Sequence, residues 1–563
     1  MAFQVSPGVQ VKEIDATNVV PAVSTSIGGF TGQFNWGSAS EVVLVGSENE
    51  LAENFGSPDS VTAKYFLTAA SFLKYGNALK VVRAVAADAR NATVGGTAIL
   101  LKNESDYQAA SLNVSDHGEW VARCPGSLGN AISVDIVTQS ISSSDFNAWQ
   151  HASQFDGIPG TSQKALDLGL STNDEMHVVV YDKSGAITGT PNTVLETYQF
   201  LSQASDAKNP EGSSIFYKDV INAQSEYIRW AAHSAALPEA GSTLAGVAGG
   251  SFTVSSAVIT DDLTGGVDGA AIGTSEVQAG LDLLADAETV DVNLLFAYPD
   301  ANGSDVIGEK LISVAGARKD CMAFISPPIE DSVNVANPHT SVIAYADSLS
   351  SSSYASLDSG AVYVYDKYND VYRWIGSAGL IAGLCANTDS VADAWFSPAG
   401  VNRGQLLGVT KLAYNPTKAQ RDALYKAKVN PLVSFPGQGT MLFGDKTLLA
   451  RASAFDRINV RRLFITVEKA ISTAAKSQLF EFNDEFTRAQ FRNLLEPFLR
   501  DVKGRRGITD FLVVCDDTNN TSAVVDGNRF VADIYIKPAR SINFITLNFI
   551  ATRTGVSFNE VAG

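Results

Sequence analysis

The sequence predicts a multidomain protein of mixed α/β and α+β class. A C-terminal α+β core (396–550) is completed by an N-terminal arm (1–22). A layered α/β middle domain (23–87 and 189–395) hosts an inserted β-rich outer domain (88–188), and 551–563 form a second arm. Three observations lead there. At 563 residues the chain is too long for one core. Strand–helix–strand order recurs at the spacing of layered α/β domains. Between about Asp88 and Thr188 the texture changes to Ser, Asn and Asp with short β-prone bursts.

Along the chain, Val9 and Val11 alternate with Gln10 and Lys12 after the Pro7-Gly8 turn, the pattern of a short strand with one apolar face. Asp15 to Thr25 is linker-like. Val42–Val45 reads as a strand. Ser60–Tyr75 reads as a helix, with Tyr65, Phe66, Ala69, Phe72 and Leu73 on one face and Gly76 as its stop. Leu79–Val85 is the next strand, and Ile132–Val137 is a burst inside the insertion. Asn209 to Gly250 carries no strong pattern. A helix through Val277, Leu281 and Leu284 then precedes two buried-strand runs, Val292–Tyr298 and Met322–Ile325.

The C-terminal region is patterned most clearly. Leu463, Val467, Ile471, Ala474 and Ala475 form one face of a helix over Arg461–Leu479. Thr487 with Gln490 predicts a capped start for a second helix. Its stripe is Phe491, Leu494, Leu495, Phe498 and Leu499, and Pro497 is expected to kink or divide it. Three strands are expected after Gly504–Gly507: Thr509–Cys515, Phe530–Ile536 and Ile542–Phe549.

Composition narrows the function classes. The hydrophobic share of 45% and charged share of 18% describe a folded chain, and no apolar run reaches the roughly 18 residues that span a bilayer. The start lacks the basic and apolar regions of a secretion signal, so the protein is expected to stay in the cytoplasm where it is made. The net charge of −19 disfavours nucleic acid as a direct partner. That charge is uneven: Arg403 to Arg506 holds 19 Lys and Arg against 9 Asp and Glu. A basic stretch within an acidic chain suits a partner or a neighbouring copy of opposite sign, or a charge-mixed solvated surface.

Catalytic signals are missing from the sequence. Cys124, Cys321, Cys385 and Cys515 lie far apart and read as buried thiols. His117, His151, His177, His233 and His339 stand without a metal-ligand spacing. No nucleophile elbow or phosphate loop is present. Gly437-Gln-Gly439 and Gly265-Gly266 read as turns. Asp261-Asp262 and Asp516-Asp517 read as solvated turn acids rather than cation ligands. No cofactor or metal is expected.

What the last third does carry is a fixed order of turn and packing words: Phe396-Ser-Pro-Ala-Gly-Val-Asn-Arg-Gly404, Asn430-Pro431, Phe435-Pro-Gly-Gln-Gly439, Phe443-Gly-Asp-Lys-Thr447 and Ile458-Asn-Val-Arg-Arg-Leu463. Earlier come Ser6-Pro-Gly-Val-Gln-Val-Lys-Glu-Ile14, Gly32 through Trp36-Gly37, Asn54-Phe-Gly56, Tyr75-Gly-Asn77 with Val81-Val-Arg83, Leu263-Thr-Gly-Gly-Val-Asp-Gly269 and Tyr298-Pro-Asp300. Ser353-Tyr-Ala355, Val364-Tyr-Asp-Lys-Tyr-Asn369 and Ala382-Gly-Leu384 complete the set. In this order, over about three quarters of the chain, the words resemble the tail sheath proteins of T4-like contractile bacteriophages. The segments 88–188 and 205–255 carry no such words.

The resemblance implies a structural, non-enzymatic subunit of the virion tail. It would polymerise as stacked hexameric rings around a tail tube protein, meet baseplate and tail terminator proteins at its ends, and contract to drive the tube through the host envelope. Assembly would take place in the host cytoplasm, without membrane insertion. On this reading Val9, Val11, Thr554, Val556 and Phe558 belong to arms that pair with other copies. Arg488, Arg492, Lys503, Arg505 and Arg506 are candidates for facing the tube. The sheath of a non-viral, tailocin-like particle is the alternative. A two-component secretion sheath fits less well, because both arms and core lie on one chain. An α/β hydrolase-like enzyme is the remote third reading.

Overall fold

The computed structural model describes residues 23–139, 142–300 and 303–543. The chain forms two units, the larger from 24–393 and 398–456, the smaller from 394–397 and from Arg457 onward, with Val23. In chain order the larger unit begins with β1 (Gly28–Gly32), β2 (Val42–Val45), helix α1 (Ala63–Leu73) and β3 (Leu79–Arg83). An antiparallel segment follows: β4 (Trp120–Ala122), β5 (Ile132–Thr138), β6 (Glu175–Asp182), β7 (Thr193–Ser202), β8 (Ile228–Trp230) and β9 (Ile259–Asp262). The unit resumes with α2 (Thr274–Leu283), β10 (Leu294–Ala297), α3 (Ser304–Arg318), β11 (Met322–Ile325) and β12 (Ala355–Asp358). Then come β13 (Val362–Asp366), β14 (Val371–Ile375), α4 (Ala378–Val391), β15 (Val409–Leu412), β16 (Val429–Asn430), β17 (Leu432–Phe435) and β18 (Gly439–Leu442).

The body of the larger unit is a seven-stranded sheet in the order β16-β12-β11-β10-β1-β3-β2, parallel except for β2 at one edge. Helices cover both faces, which is why its inner strands read as continuous apolar runs. The central strand β1 shows how tightly they press. A Cβ on Gly28 would meet Phe72 and Leu79 at 2.8 Å, and one on Gly29 would meet Val292 at 2.7 Å from the other side. On one face α4 packs on α1 so closely that a Cβ on Gly379 would lie 2.3 Å from the Thr68 carbonyl oxygen. The Ala-Gly-Leu-Ile-Ala-Gly-Leu start of α4 is thus a small-residue packing seam.

The insertion extends further than the sequence texture indicates. Its main sheet runs β7-β6-β5-β9, and β4 pairs with β8. Residue 188 therefore falls in the connection between β6 and β7, β8 comes from the stretch without a readable pattern, and β9 holds Asp261-Asp262, which are strand residues with Asp261 buried rather than solvated turn acids. Both are short, and β9 ends in two aspartates, so neither shows the alternation that marks a strand. Arg83, the last residue of β3, fixes the way into this segment. Its guanidinium donates to the carbonyls of Phe34 (3.0 Å), Gly37 (2.6 Å) and Pro125 (2.7 Å). Burial pushes its pKa down to about 10.

The C-terminal core also starts later than expected. Residues 398–456 belong to the larger unit: β15 hydrogen-bonds β13, and β16 hydrogen-bonds β12. The smaller unit holds α5 (Ile458–Ala475), α6 (Glu485–Gly504), β19 (Ile508–Val514) and β20 (Asp533–Pro538). Pro497 does not divide α6. It lies on the exposed side of the helix, as does Asn493, whose carbonyl loses its partner and is left to water. The cap is Asp484, whose carboxylate accepts from the Thr487 amide at 2.8 Å, not the expected Thr487–Gln490 pair. The expected strand at 542–549 lies mostly outside the described residues.

Candidate inter-subunit surfaces

The smaller unit buries one face of a helix pair and one face of a hairpin. Leu463, Val467, Phe491, Leu495, Leu499, Val502, Ile508 and Val513 form its core, with Phe511, Ile534 and Ile536 packed against it. β19 and β20 pair with Phe511 opposite Ile536, Leu512 opposite Tyr535 and Val513 opposite Ile534. The two-residue period sends Leu512 and Tyr535 outward, and they are 58% and 60% exposed. Among the described residues this sheet has two strands only, so each presents an edge of unpaired backbone groups. Two strands alone are marginally stable in water.

The turn between α5 and α6 holds what the sequence reading missed. Leu479, Phe480, Phe482 and Phe486 are all largely exposed, and Phe480 holds the left-handed backbone at φ +72°. The signal was three phenylalanines within seven residues, just past the end of a helical stripe and interleaved with Glu481, Asp484 and Glu485.

The five basic candidates do not form one patch. Arg488 is buried; its guanidinium donates to Asp517 at 2.5 Å and to the Asn483 side chain at 2.9 Å. Its charge braces the start of α6 to the loop after β19, so it is not available to an outside partner. Arg492 is half-buried one turn on. Lys503 pairs with Asp510 at 3.2 Å. Arg505 pairs with Asp501 at 3.5 Å and lies over the Trp395 ring at 5.2 Å, while the indole N–H donates to the Arg505 carbonyl at 3.0 Å. Arg506 is exposed. About 22 Å of helix separates Arg488 from Lys503, and the latter group sits where the helix dipole favours cations. Val9, Val11, Thr554, Val556 and Phe558 lie outside the described residues.

Buried polar groups elsewhere act as braces. Asp358, at the carboxyl end of β12, accepts from Ser326 Oγ at 2.5 Å and from the Gly360 amide at 2.9 Å. Ser326 in turn accepts from the amide of Ala378 at the start of α4, at 2.8 Å. This is where α/β enzymes place their sites, yet here the groups tie strand ends to a helix. Burial pushes the Asp358 carboxyl up to about 7. Among the described residues no group of three His, Cys, Asp or Glu side chains is arranged to hold a metal ion. Among the described residues no helix is long and apolar enough to cross a membrane.

The described residues form a layered α/β body with a β-rich insertion and a helical unit with a two-stranded sheet. Comparison with known proteins specifies the family. Residues 451–552 match the phage tail sheath C-terminal domain, 270–448 the phage tail sheath central domain, and 25–84 the N-terminal region of domain III of tail sheath protein Gp18. The tail sheath protein of Vibrio phage KVP40 is 34% identical, over 99% of both chains. That of Enterobacteria phage T4 is 33% identical, again over 99% of both. Among solved structures, the sheath tail protein of Listeria innocua shares the fold, with a TM-score of 0.55 at 13% identity over 92% of this chain and 93% of the other. The chain belongs to the phage tail sheath protein family; it is a subunit of a contractile sheath.

The central-domain match ends at 448 and the C-terminal match begins at 451, close to the Asp456/Arg457 division in the structure. The insertion between β3 and α2 falls between the first two matched segments.

Proposed function

We propose that this chain polymerises as stacked six-membered rings around a tail tube and contracts to drive that tube through the host envelope. The observation that carries the reading is the β19–β20 sheet, which among the described residues has two strands only. Strands supplied from 1–22 and 544–563 of neighbouring copies would complete the sheet through backbone bonds, which survive rotation of the bodies they connect. Contacts of this kind are heterologous and do not close on themselves, as a fibre requires. Contraction then needs no fuel site. The extended sheath is a kinetic trap, and its free energy is released as interfaces re-form in a wider ring. The chain acts without catalysis, the exposed end of α6 with Lys503, Arg505 and Arg506 meets the tube, and assembly takes place in the host cytoplasm. Deleting 1–22 or 551–563 is expected to abolish polymer formation while the monomer keeps its melting temperature. Polymers that persist without an arm sink this part of the proposal.

A further inference from the structure

Within the insertion, residues 143–160 form a strap over one face of β5, β6 and β7. Phe146, Trp149 and Phe155 of the strap close an apolar cluster with Val137 of β5 and with Val179 and Tyr181 of β6, and Ile158 packs there with Val194 of β7. The two-residue period of β6 puts Glu175 and His177 on this same face. Side chains of the sheet fasten the strap. Asp135 accepts from the Trp149 indole N–H at 2.7 Å, Glu175 accepts from the Gly160 amide at 2.9 Å, and His177 Nε2 donates to the Gly157 carbonyl at 2.8 Å.

His177 is held in one protonation state by its surroundings. The β6–β7 ladder shifts register between Met176 and Val178, so Gln199 and Phe200 together oppose His177. Phe200 holds the left-handed backbone at φ +53°, and its amide donates to His177 Nδ1 at 3.1 Å. Nδ1 is therefore an acceptor, which leaves the ring hydrogen on Nε2 for Gly157. A second proton would sit on Nδ1, pointing at the Phe200 N–H, in a ring stacked on Phe155 at 4.4 Å and set against Phe200 at 4.7 Å. His151, on the strap itself, is 4% exposed. Its ring lies 4.7 Å from Tyr181 and 5.7 Å from Trp149, and its Nε2 is buried with no hydrogen-bond partner among the described residues.

The strap and all four strands of the sheet contain no Lys or Arg. Asp156 on the strap favours a charged His177, and Asp135 on β5 a charged His151, yet burial outweighs both and holds the two imidazoles below their ordinary range. The remaining acids of these elements are engaged elsewhere: Asp145 with Ser142, Asp182 with the amides of Gly185 and Ile187, and Glu196 with Ser225 and the Glu226 amide. Burial moves the Glu175 carboxyl upward, so that fastening tolerates acid. The histidines respond in the opposite sense. An imidazole harder to protonate in the closed strap than in a free one contributes stability that is complete above its ordinary pKa. That stability is lost as pH falls from there through the lowered value.

We propose that the strap is an acid-released latch: protonation of His177 and His151 frees residues 143–160 from the sheet and uncovers the aromatic cluster. The device belongs to the insertion and does not depend on the sheath reading.

The test is hydrogen exchange of the full chain at about pH 7.5 and about pH 5.5, corrected for intrinsic rates, with hydroxyl-radical footprinting at both. Exchange in peptides covering 155–160 and Phe200, and oxidation of Trp149 and Phe155, are expected to rise about fivefold at the lower pH, while β10 and β11 hold. A strap that shows no rise, or one matched by β10 and β11, overturns the proposal. His177→Gln with His151→Phe is expected to abolish the rise, because neither replacement takes up a proton. A rise that survives in this folded double variant also overturns it. His151→Phe alone fills the same apolar site and is expected to lessen the rise with the strap still closed at the higher pH. An unchanged rise in that variant overturns the role of His151.

Discussion

The burial of Arg488 separates two roles that a sequence assigns equally well, a contact with an outside partner and an internal brace. Consider Arg488→Glu. The native guanidinium donates to Asp517 and Asn483 from a side chain that is 9% exposed, while the Asp517 side chain is 85% exposed. Losing hydrogen bonds from a charged donor costs about 1.5–3 kcal/mol, and little is added at Asp517, which water re-solvates. Substituting glutamate also buries a carboxylate beside the Asp517 carboxylate, which brings the total to roughly 3–5 kcal/mol. For a unit of about 100 residues that corresponds to a fall in melting temperature of some 12–40 °C. Hydrogen exchange of the full chain reads this locally: amides of α6 and β19 should lose protection, while those of β10 and β11 keep theirs. Arg488→Glu with Asp517→Lys should recover part of the loss. If Arg488→Glu leaves that protection intact and detaches the sheath from its tube, the brace is wrong and the residue faces the partner.

Two further outcomes follow from buried groups. Burial, reinforced by Glu119, pushes the Asp261 carboxyl up to about 7 from its ordinary 3.8. A raised carboxyl pKa means that the native state holds the proton longer. Stability from the neutral form is therefore complete below about pH 4 and lost as pH rises through 7. Asp261→Asn should thus stabilise the insertion at pH 8 by up to about 4 kcal/mol, with the gain vanishing towards pH 4 in paired thermal melts; a gain independent of pH contradicts this. Pro497→Ala should stabilise α6 by about 1–3 kcal/mol, because the helix continues through an exposed proline; a destabilised variant would mean the proline shapes the helix.

The legible parts of the fold were those whose side chains face one environment. Ile132–Val137 and Met322–Ile325 announced themselves because fully buried strands are apolar runs, and α5 and α6 because their stripes face one core. Boundaries were hidden where pairing is long-range. β9 hydrogen-bonds a strand more than a hundred residues earlier, and β15 and β16 join sheets whose other strands lie before residue 376. Nothing local to Ile259–Asp262 or Val429–Asn430 encodes those partners. Arg488 read as an exposed cation because the acid that pairs with it, Asp517, lies 29 residues on and across a turn. The Val364-Tyr-Asp-Lys-Tyr-Asn369 words served as a family marker, yet their alternation also specified an aromatic face, which emerged once β14 and β15 were set beside β13.

The central claim is that the chain is a self-assembling sheath subunit whose activity resides in its interfaces. Negative-stain electron microscopy with sedimentation of the purified full chain, alone and with tube protein, tests it most directly. The account predicts tubes or stacks of six-membered rings. A species that stays monomeric at high concentration and in the presence of tube protein would contradict it.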